Sequence, residues 1–335
     1  MATSELRQDP LTGVFTILAP HRQGRPRDRA YRTAAALPTT LPRHDPSCPF
    51  CPARSGEPTV PILVLPNLSE GGWRARILAN TFPALRPDAG ATGEARALPG
   101  RGRHEVIVET PRHDQDLSEM EHAQLQGVVQ LTLARMRQLA RDPEAIAVFV
   151  FRNHGTGAGS SLIHAHGQLI ALPFVPAEMA RREAHLAAAH ASSGRNPFET
   201  ALEAERASGR RVIAENGSFT AYVPFAAEAP CELRIQPLRA STDPIDLDPP
   251  EIAPLADMLG HCLRRLKEKA DDPPYNLMWW TMSRLRRRAP FAGWCIRIVP
   301  RIVPGGGFEK ASGVSITSTL PEADAARLRG DVMEV

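Results

Sequence analysis

Lysine is nearly missing from this chain of 335 residues: Lys267, Lys269 and Lys310 are the only three among 40 basic residues. Arginine carries the rest, and 40 Lys+Arg against 37 Asp+Glu leaves a formal charge of +3. So even a balance argues against an unspecific polyanion binder, and nucleic acid is not an expected partner. Long apolar runs are also missing. No stretch reaches 18 apolar residues, which removes a membrane-spanning helix and leaves no membrane partner to expect. The first residues are polar where a signal peptide would carry an apolar core, so a cytoplasmic location is the expectation. The five cysteines are odd in number, and only Cys48 and Cys51 lie close together. That suits a metal or redox pair in a reducing compartment better than a disulfide framework. With 42% hydrophobic and 23% charged residues, the chain has the make-up of a globular protein of one large domain or two ordinary ones.

What is present becomes clearest when the chain is compared with itself. Asp116-Leu117 recurs as Asp246-Leu247, Leu125 as Leu255, Leu133 as Leu263, Arg135 as Arg265, Ala140 as Ala270, and Asp142-Pro143 as Asp272-Pro273. Apolar positions 125, 129, 133 and 136, with partners 255, 259, 263 and 266, fall at helical spacing. Each copy therefore holds an amphipathic helix of about five turns, begun near an Asp and stopped before Asp-Pro. An apolar run follows each helix, residues 146–151 and 275–280, and an alternating segment precedes each, residues 104–108 and 231–235; all read as strands. A last strand in each copy aligns residues 164–170 with 293–299. Strand, helix, strand, strand, twice over, predicts an α+β fold of antiparallel sheet with helices packed on it, in two halves, residues 1–178 and 179–335. Residues 34–46 and 87–102 read as surface connections, and residues 177–209 as helices interrupted near 192–197. The cluster Arg284, Arg286, Arg287 and Arg288 reads as a solvated loop rather than a phosphate contact.

Chemistry concentrates in the first half. Cys48-Pro49-Phe50-Cys51 presents two thiolates to one ion, and His113 and His164 would complete a tetrahedral set of the kind structural zinc prefers. A reduced buried pair or a redox site is the alternative. Asn153-His154-Gly155-Thr156-Gly157-Ala158-Gly159-Ser160-Ser161 follows, a glycine-rich turn whose backbone can approach a phosphate closely. Then comes His164-Ala165-His166-Gly167-Gln168. On a strand the two histidines share a face, so one can bind a metal while the other, held neutral, attacks phosphorus. Equally, both could bind one ion or simply sit on a solvated strand.

These strings resemble the active-site signature of galactose-1-phosphate uridylyltransferases, a branch of the histidine-triad superfamily. The resemblance extends to Arg7, Asp9-Pro10-Leu11-Thr12-Gly13, Ala19-Pro20-His21-Arg22 and Arg25-Pro26 near the start. It takes in Asn80-Thr81-Phe82-Pro83-Ala84, the segment from Gly102 to His113, and Gly306-Gly307-Phe308-Glu309. It implies two histidine-triad-like halves and a ping-pong reaction. In that reaction His166 attacks the α-phosphorus of a nucleoside diphosphate sugar, and the nucleotidyl-histidine passes its nucleotide to a sugar 1-phosphate. Gln168, Asn153, Gly159 and Ser161 would hold phosphate oxygens, with Ser160 also among the substrate-binding residues. Asn80 and Phe82 would face the nucleoside, Arg22 and Arg25 the phosphates, and Phe308 and Glu309 the sugar. One structural zinc at Cys48, Cys51, His113 and His164, and a homodimer, are likewise implied.

The chain departs from the family pattern in three places. Ala165 stands where the family usually has Pro, a change that should preserve the strand. Gly293-Trp294-Cys295 stands where relatives commonly carry His-Trp-His, so a second metal site is not expected, and Cys295 takes the place of His166 as a buried small residue. Near the end Glu309 is kept, but Ser315 replaces a glutamine, which resembles the divergent members that include ADP-glucose phosphorylase. The readings to be separated are therefore a nucleotidyltransferase, a phosphorylase in which inorganic phosphate is the acceptor, and an inactive zinc-stabilised nucleotide-binding protein.

Overall fold

The computed structural model describes residues 3–24, 41–52, 60–69, 71–90, 93–94, 96–302 and 305–331. Its centre is one ten-stranded antiparallel sheet. The first five strands are β3 (Leu63–Pro66), β4 (Trp73–Ala79), β5 (Arg103–Val108), β6 (Ala147–His154) and β7 (His166–Leu172). The other five are β8 (Val212–Glu215), β9 (Phe219–Tyr222), β10 (Leu233–Pro237), β11 (Tyr275–Trp280) and β12 (Cys295–Pro300). Their order is β3-β4-β5-β7-β6-β11-β12-β10-β9-β8. Read outward from the β6–β11 junction, each side repeats the same succession, which is the spatial form of the internal repeat. A small sheet of β1 (Glu5–Gln8), β2 (Phe15–Leu18) and β13 (Ser315–Thr317) ties the start of the chain to its end.

Two helices cover one face, α1 (His122–Leu139) and α4 (Pro249–Ala270), packed against each other as well as on the sheet. Leu125, Val129, Leu133 and Met136 of α1 and Leu255, Leu259, Leu263 and Leu266 of α4 are all buried in one continuous core. Each such side chain contributes about 1.5–3 kcal/mol of transfer free energy, so this seam adds to the β6–β11 pairing in holding the two repeats together. Glu251 accepts from the Asp248 N–H at 2.9 Å and so satisfies a donor at the start of α4. At its other end the chain turns through left-handed backbone at Asp271 and Asp272, φ +65° and +43°, ahead of Pro273.

The remaining helices are α2 (Ala177–Ser193), α3 (Pro197–Ser208), α5 (Gly307–Ser312) and α6 (Pro321–Arg329). The break between α2 and α3 falls where the sequence put it, with Gly194 in left-handed backbone and Asn196 capping the Phe198 N–H.

Three local readings are corrected. The strand expected at 231–235 starts only at Leu233, because Cys231 adopts φ +58° while its N–H binds the buried Asp324 carboxylate. The strand expected from 164 starts at His166, since His164 lies in a bend turned toward the Thr110 carbonyl. The arginine cluster is not simply solvated. Arg284 and Arg287 donate to the carbonyls of Asp142 and Ala140 just beyond the end of α1, where the helix dipole favours a cation, and Arg288 pairs with Asp246.

The motif Asp9-Pro10-Leu11-Thr12-Gly13 has a structural role. The buried Asp9 carboxylate accepts from the Leu11 and Thr12 N–H groups and pairs with Arg234 of β10, pinning the first turn onto the second half of the sheet.

Candidate active site and metal centre

Cys48, Cys51, His113 and His164 converge although 116 positions separate the first from the last. All four are buried, and their ligand atoms lie within 4.8 Å of one another. Cys48 Sγ and Cys51 Sγ are each 3.6 Å from His164 Nδ1, and Cys51 Sγ is 3.6 Å from His113 Nδ1. A tetrahedral ion with Zn–S near 2.3 Å and Zn–N near 2.05 Å would place sulfur and nitrogen about 3.6 Å apart, so the donor set fits zinc without rearrangement. The outer contacts fit as well. The N–H groups of Asp45 and Phe50 point at Cys51 Sγ and Cys48 Sγ, both at 3.4 Å, as suits thiolates. His164 Nε2 donates to the Thr110 carbonyl at 2.8 Å, which leaves Nδ1 as the ligating atom. Burial pushes His164 down to about 4, so its ring is neutral at pH 7.

Two residues on, His166 opens β7. Its Nδ1 donates to the His164 carbonyl at 2.8 Å, so Nε2 carries the lone pair. Burial lowers its basicity, and Arg152 lowers it further. The result is a neutral imidazole with a defined free nitrogen beside the Phe50 ring, whose centre is 5.2 Å away. A Cβ added at Gly167 would come within 3.3 Å of a Glu109 oxygen, so the buried carboxylate sits directly beneath the strand that carries His166.

Gln168 projects from the same side of β7, two residues along. Its Oε1 accepts from His104 Nε2 at 2.9 Å, while His104 Nδ1 accepts from the Ala84 N–H at 3.1 Å and its Nε2 lies 3.1 Å from Asn80 Nδ2. His104 lies in the segment that resembles the family, but nothing in that string marks its role. It links the Asn80 turn to Gln168 and leaves the Gln168 amide NH₂ to serve another acceptor. In that turn Asn80 is half-buried, and Phe82 is 89% exposed, open to a ligand.

The glycine-rich turn follows β6 as a 3-10 turn over Thr156–Ala158, with Gly155 and Gly159 at φ +74° and +87°, conformations open to glycine at no steric cost. Ser160 Oγ donates to the Leu162 carbonyl at 2.8 Å and so shapes the turn, while Gly159 and Ser161 are exposed at its rim. The turn, His166 and the two histidines of the cluster, His113 and His164, line one cleft of about 310 Å³. Arg152, His154, Asp116, Lys267 and Asp272 line its far side. Arg152 bonds Glu109 at 3.0 Å, the Tyr275 hydroxyl at 2.7 Å and Asp116 at 2.5 Å. His154 stacks on Tyr275 between Asp116 and Asp272, 3.3 and 3.4 Å away. Burial opposes its charge, but the two carboxylates outweigh burial and raise His154 to about 9.

The remaining expected residues lie apart from this cleft. Arg22 is in a 3-10 turn over Pro20–Gly24, and Phe308 and Glu309 are on α5, where Glu309 accepts from the Gly306 N–H of its own helix. Arg25 falls outside the described residues. In the second half Cys295 opens β12 as His166 opens β7; it is fully buried beside Leu11, Leu186 and Phe198, and burial pushes its thiol up to about 11.

A histidine-bearing strand and a glycine-rich turn, on one antiparallel sheet covered by helices, place the chain in the α+β class. The model of the galactose-1-phosphate uridyl transferase N-terminal domain matches residues 1–176. An ADP-glucose phosphorylase of Arabidopsis thaliana is 31% identical over 98% of this chain and 93% of its own length. A galactose-1-phosphate uridylyltransferase of Streptomyces lividans is 30% identical over 83% of this chain and 70% of its own. The crystal structure of an ADP-glucose phosphorylase from Arabidopsis thaliana with bound ADP-glucose superimposes with a TM-score of 0.84, at 29% identity, covering 100% of both chains. The chain belongs to the galactose-1-phosphate uridylyltransferase family.

Proposed function

We propose that this protein is a nucleotidyltransferase that works through a covalent nucleotidyl-histidine at His166. The observation that carries the reading is the Nδ1 bond from His166 to the His164 carbonyl, which frees Nε2 on a neutral ring beside a phosphate-accommodating turn. Nε2 attacks the α-phosphorus of a nucleoside diphosphate sugar; the Nε2–P bond forms, the bond to the bridging oxygen breaks, and sugar 1-phosphate leaves. The acceptor's phosphate oxygen then attacks the same phosphorus and His166 is regenerated. The Gln168 and Asn153 amides and the Ser161 hydroxyl donate to the phosphate oxygens as charge shifts, and Gly159 and Ser160 hold the turn's shape. Asn80 and Phe82 take the base, and Arg22 and Arg25 serve the phosphates. Zinc at Cys48, Cys51, His113 and His164 is structural in this reading: four protein ligands fill a tetrahedral ion and leave no open position. We assign a single zinc per chain.

Residues 1–178 form the half that reacts, and residues 179–335 the half that supports it. A homodimer in which a second copy completes the sugar side belongs to this reading; a monomer by light scattering would contradict it.

A phosphorylase is the second reading, favoured by the greater coverage of the ADP-glucose phosphorylase relative. There inorganic phosphate takes the nucleotide from His166. Chasing the loaded enzyme with phosphate or with a hexose 1-phosphate separates the two: release of nucleoside diphosphate by phosphate alone makes it a phosphorylase, and formation of a new nucleotide sugar makes it a transferase. Failure of both acceptors would contradict each reading.

A further inference from the structure

The phosphate turn of the first half is held by one stretch of the second, residues 272–276. Asn276 of β11 lies directly opposite Asn153 of β6 in the strand register. One end of its amide reaches two oxygens, the Ala158 carbonyl at 2.9 Å and the Asn153 side chain at 2.8 Å. Because the Ala158 carbonyl can only accept, that end of Asn276 must be its NH₂. The Asn153 atom facing it must then be the amide oxygen, and the Asn153 NH₂ is turned the other way. There, among the described residues, its hydrogen-bond partner is the Gly159 carbonyl at 3.5 Å, a long contact. Asn153 is thereby set with a donor available to an acceptor group, such as a phosphate oxygen.

The neighbours of Asn276 brace the same turn. A Cβ added at Gly155 or Gly157 would come within 3.2 or 3.1 Å of Pro274, so both glycines rest against that ring. Tyr275 stacks on His154 with ring centres 4.7 Å apart. Asp272 reaches His154 from left-handed backbone that non-glycine residues seldom adopt.

We propose that Asn276 is a positioning residue of the transfer site: through Asn153 Oδ1 and the Ala158 carbonyl it fixes which end of the Asn153 amide meets the nucleotide's phosphate. It acts through Asn153 and touches no substrate. The inference rests on the nucleotidyl-transfer reading, and its consequence is that the half without a nucleophile takes part in donor recognition.

The test is a double-mutant cycle with Asn276→Ala, Asn153→Ala and the double variant, read by AMP and UMP binding in calorimetry and by the rate of His166 nucleotidylation from ADP-glucose and UDP-glucose. Asn276→Ala alone should weaken binding and slow nucleotidylation about tenfold, as expected for one lost hydrogen bond to a phosphate-orienting group. On the Asn153→Ala background the same change should cost less than about twofold. Asn276→Asp keeps the shape but turns an oxygen toward two acceptors, and should be worse than Ala in both readouts; it also serves if the Ala variant does not fold. Effects of the two alanine changes that simply multiply, or no effect of Asn276→Ala, would overturn the proposal. Nucleotide binding without any adduct in the wild type would overturn the transfer reading instead, with the binding cycle still deciding the role of Asn276. A wild type that binds neither nucleotide would overturn both.

Discussion

His154 shows how one residue can be legible as part of a motif while its role stays unread. Its place beside Asn153 and Gly155 could be read from the string, but its partners could not, because Asp116 and Asp272 lie 38 positions before it and 118 after it. Asp116, Asp272, Arg152, Glu109 and Tyr275 all surround it or its immediate partners, and the two nearest carboxylates hold it charged, with its pKa raised from 6.5 to about 9. A group raised in the folded state contributes stability that is complete below its unfolded pKa and is lost as pH rises through the folded one. Stability should therefore fall between pH 6.5 and about 9 by an amount of order 3 kcal/mol from this group alone. His154→Gln should remove that slope in denaturant unfolding series across the interval; an unchanged slope would show that the charge does not reside there. His104 and Asn276 were missed for a related reason. A cross-strand partner is set by register, and register between strands so far apart leaves no local signal. The convergence of Cys48 and Cys51 with two histidines was legible because the spacing of metal ligands is carried by residue type.

At the scale of elements, periodicity placed α1, α4, β11 and the break between α2 and α3 well, because each buries one regular apolar stripe or ends at a glycine or proline. The misplaced strand starts at 164 and 231 both follow from side chains with other commitments, His164 to the metal cluster and the segment at Cys231 to Asp324. Among the described residues, the CxxC loop meets the rest of the chain through its two sulfurs against His113 and His164 and through Phe50 against the sheet. Cys48→Ser should release about one zinc per chain and lower the unfolding temperature, since a closed four-ligand site contributes folding energy directly. Elemental analysis finding no metal in the wild type would contradict the site, and two zinc ions per chain would contradict the single-site assignment.

At the scale of the whole molecule, the repeat explains why the halves have diverged without separating. β6 and β11 pair along the middle of the sheet, and α1 packs on α4, so neither half has a finished edge or a covered helix face without the other. In the first half, the face opposite the helices carries His166 and Gln168. The matching face of the second half is filled by Cys295, Arg297 and Arg234, with Asp9 closing over them. That face of the second half thus anchors the start of the chain, while residues 272–276 support the turn at residues 155–161.

The account depends on covalent chemistry at one nitrogen, and intact-protein mass spectrometry addresses it directly. The chain is mixed with ADP-glucose or UDP-glucose and no acceptor, beside His166→Ala. A gain of one nucleoside monophosphate in the wild type, absent from the variant, is the predicted result and identifies the base as well. An adduct that survives in His166→Ala would contradict the account, and so would a wild type that binds either donor and gains no mass.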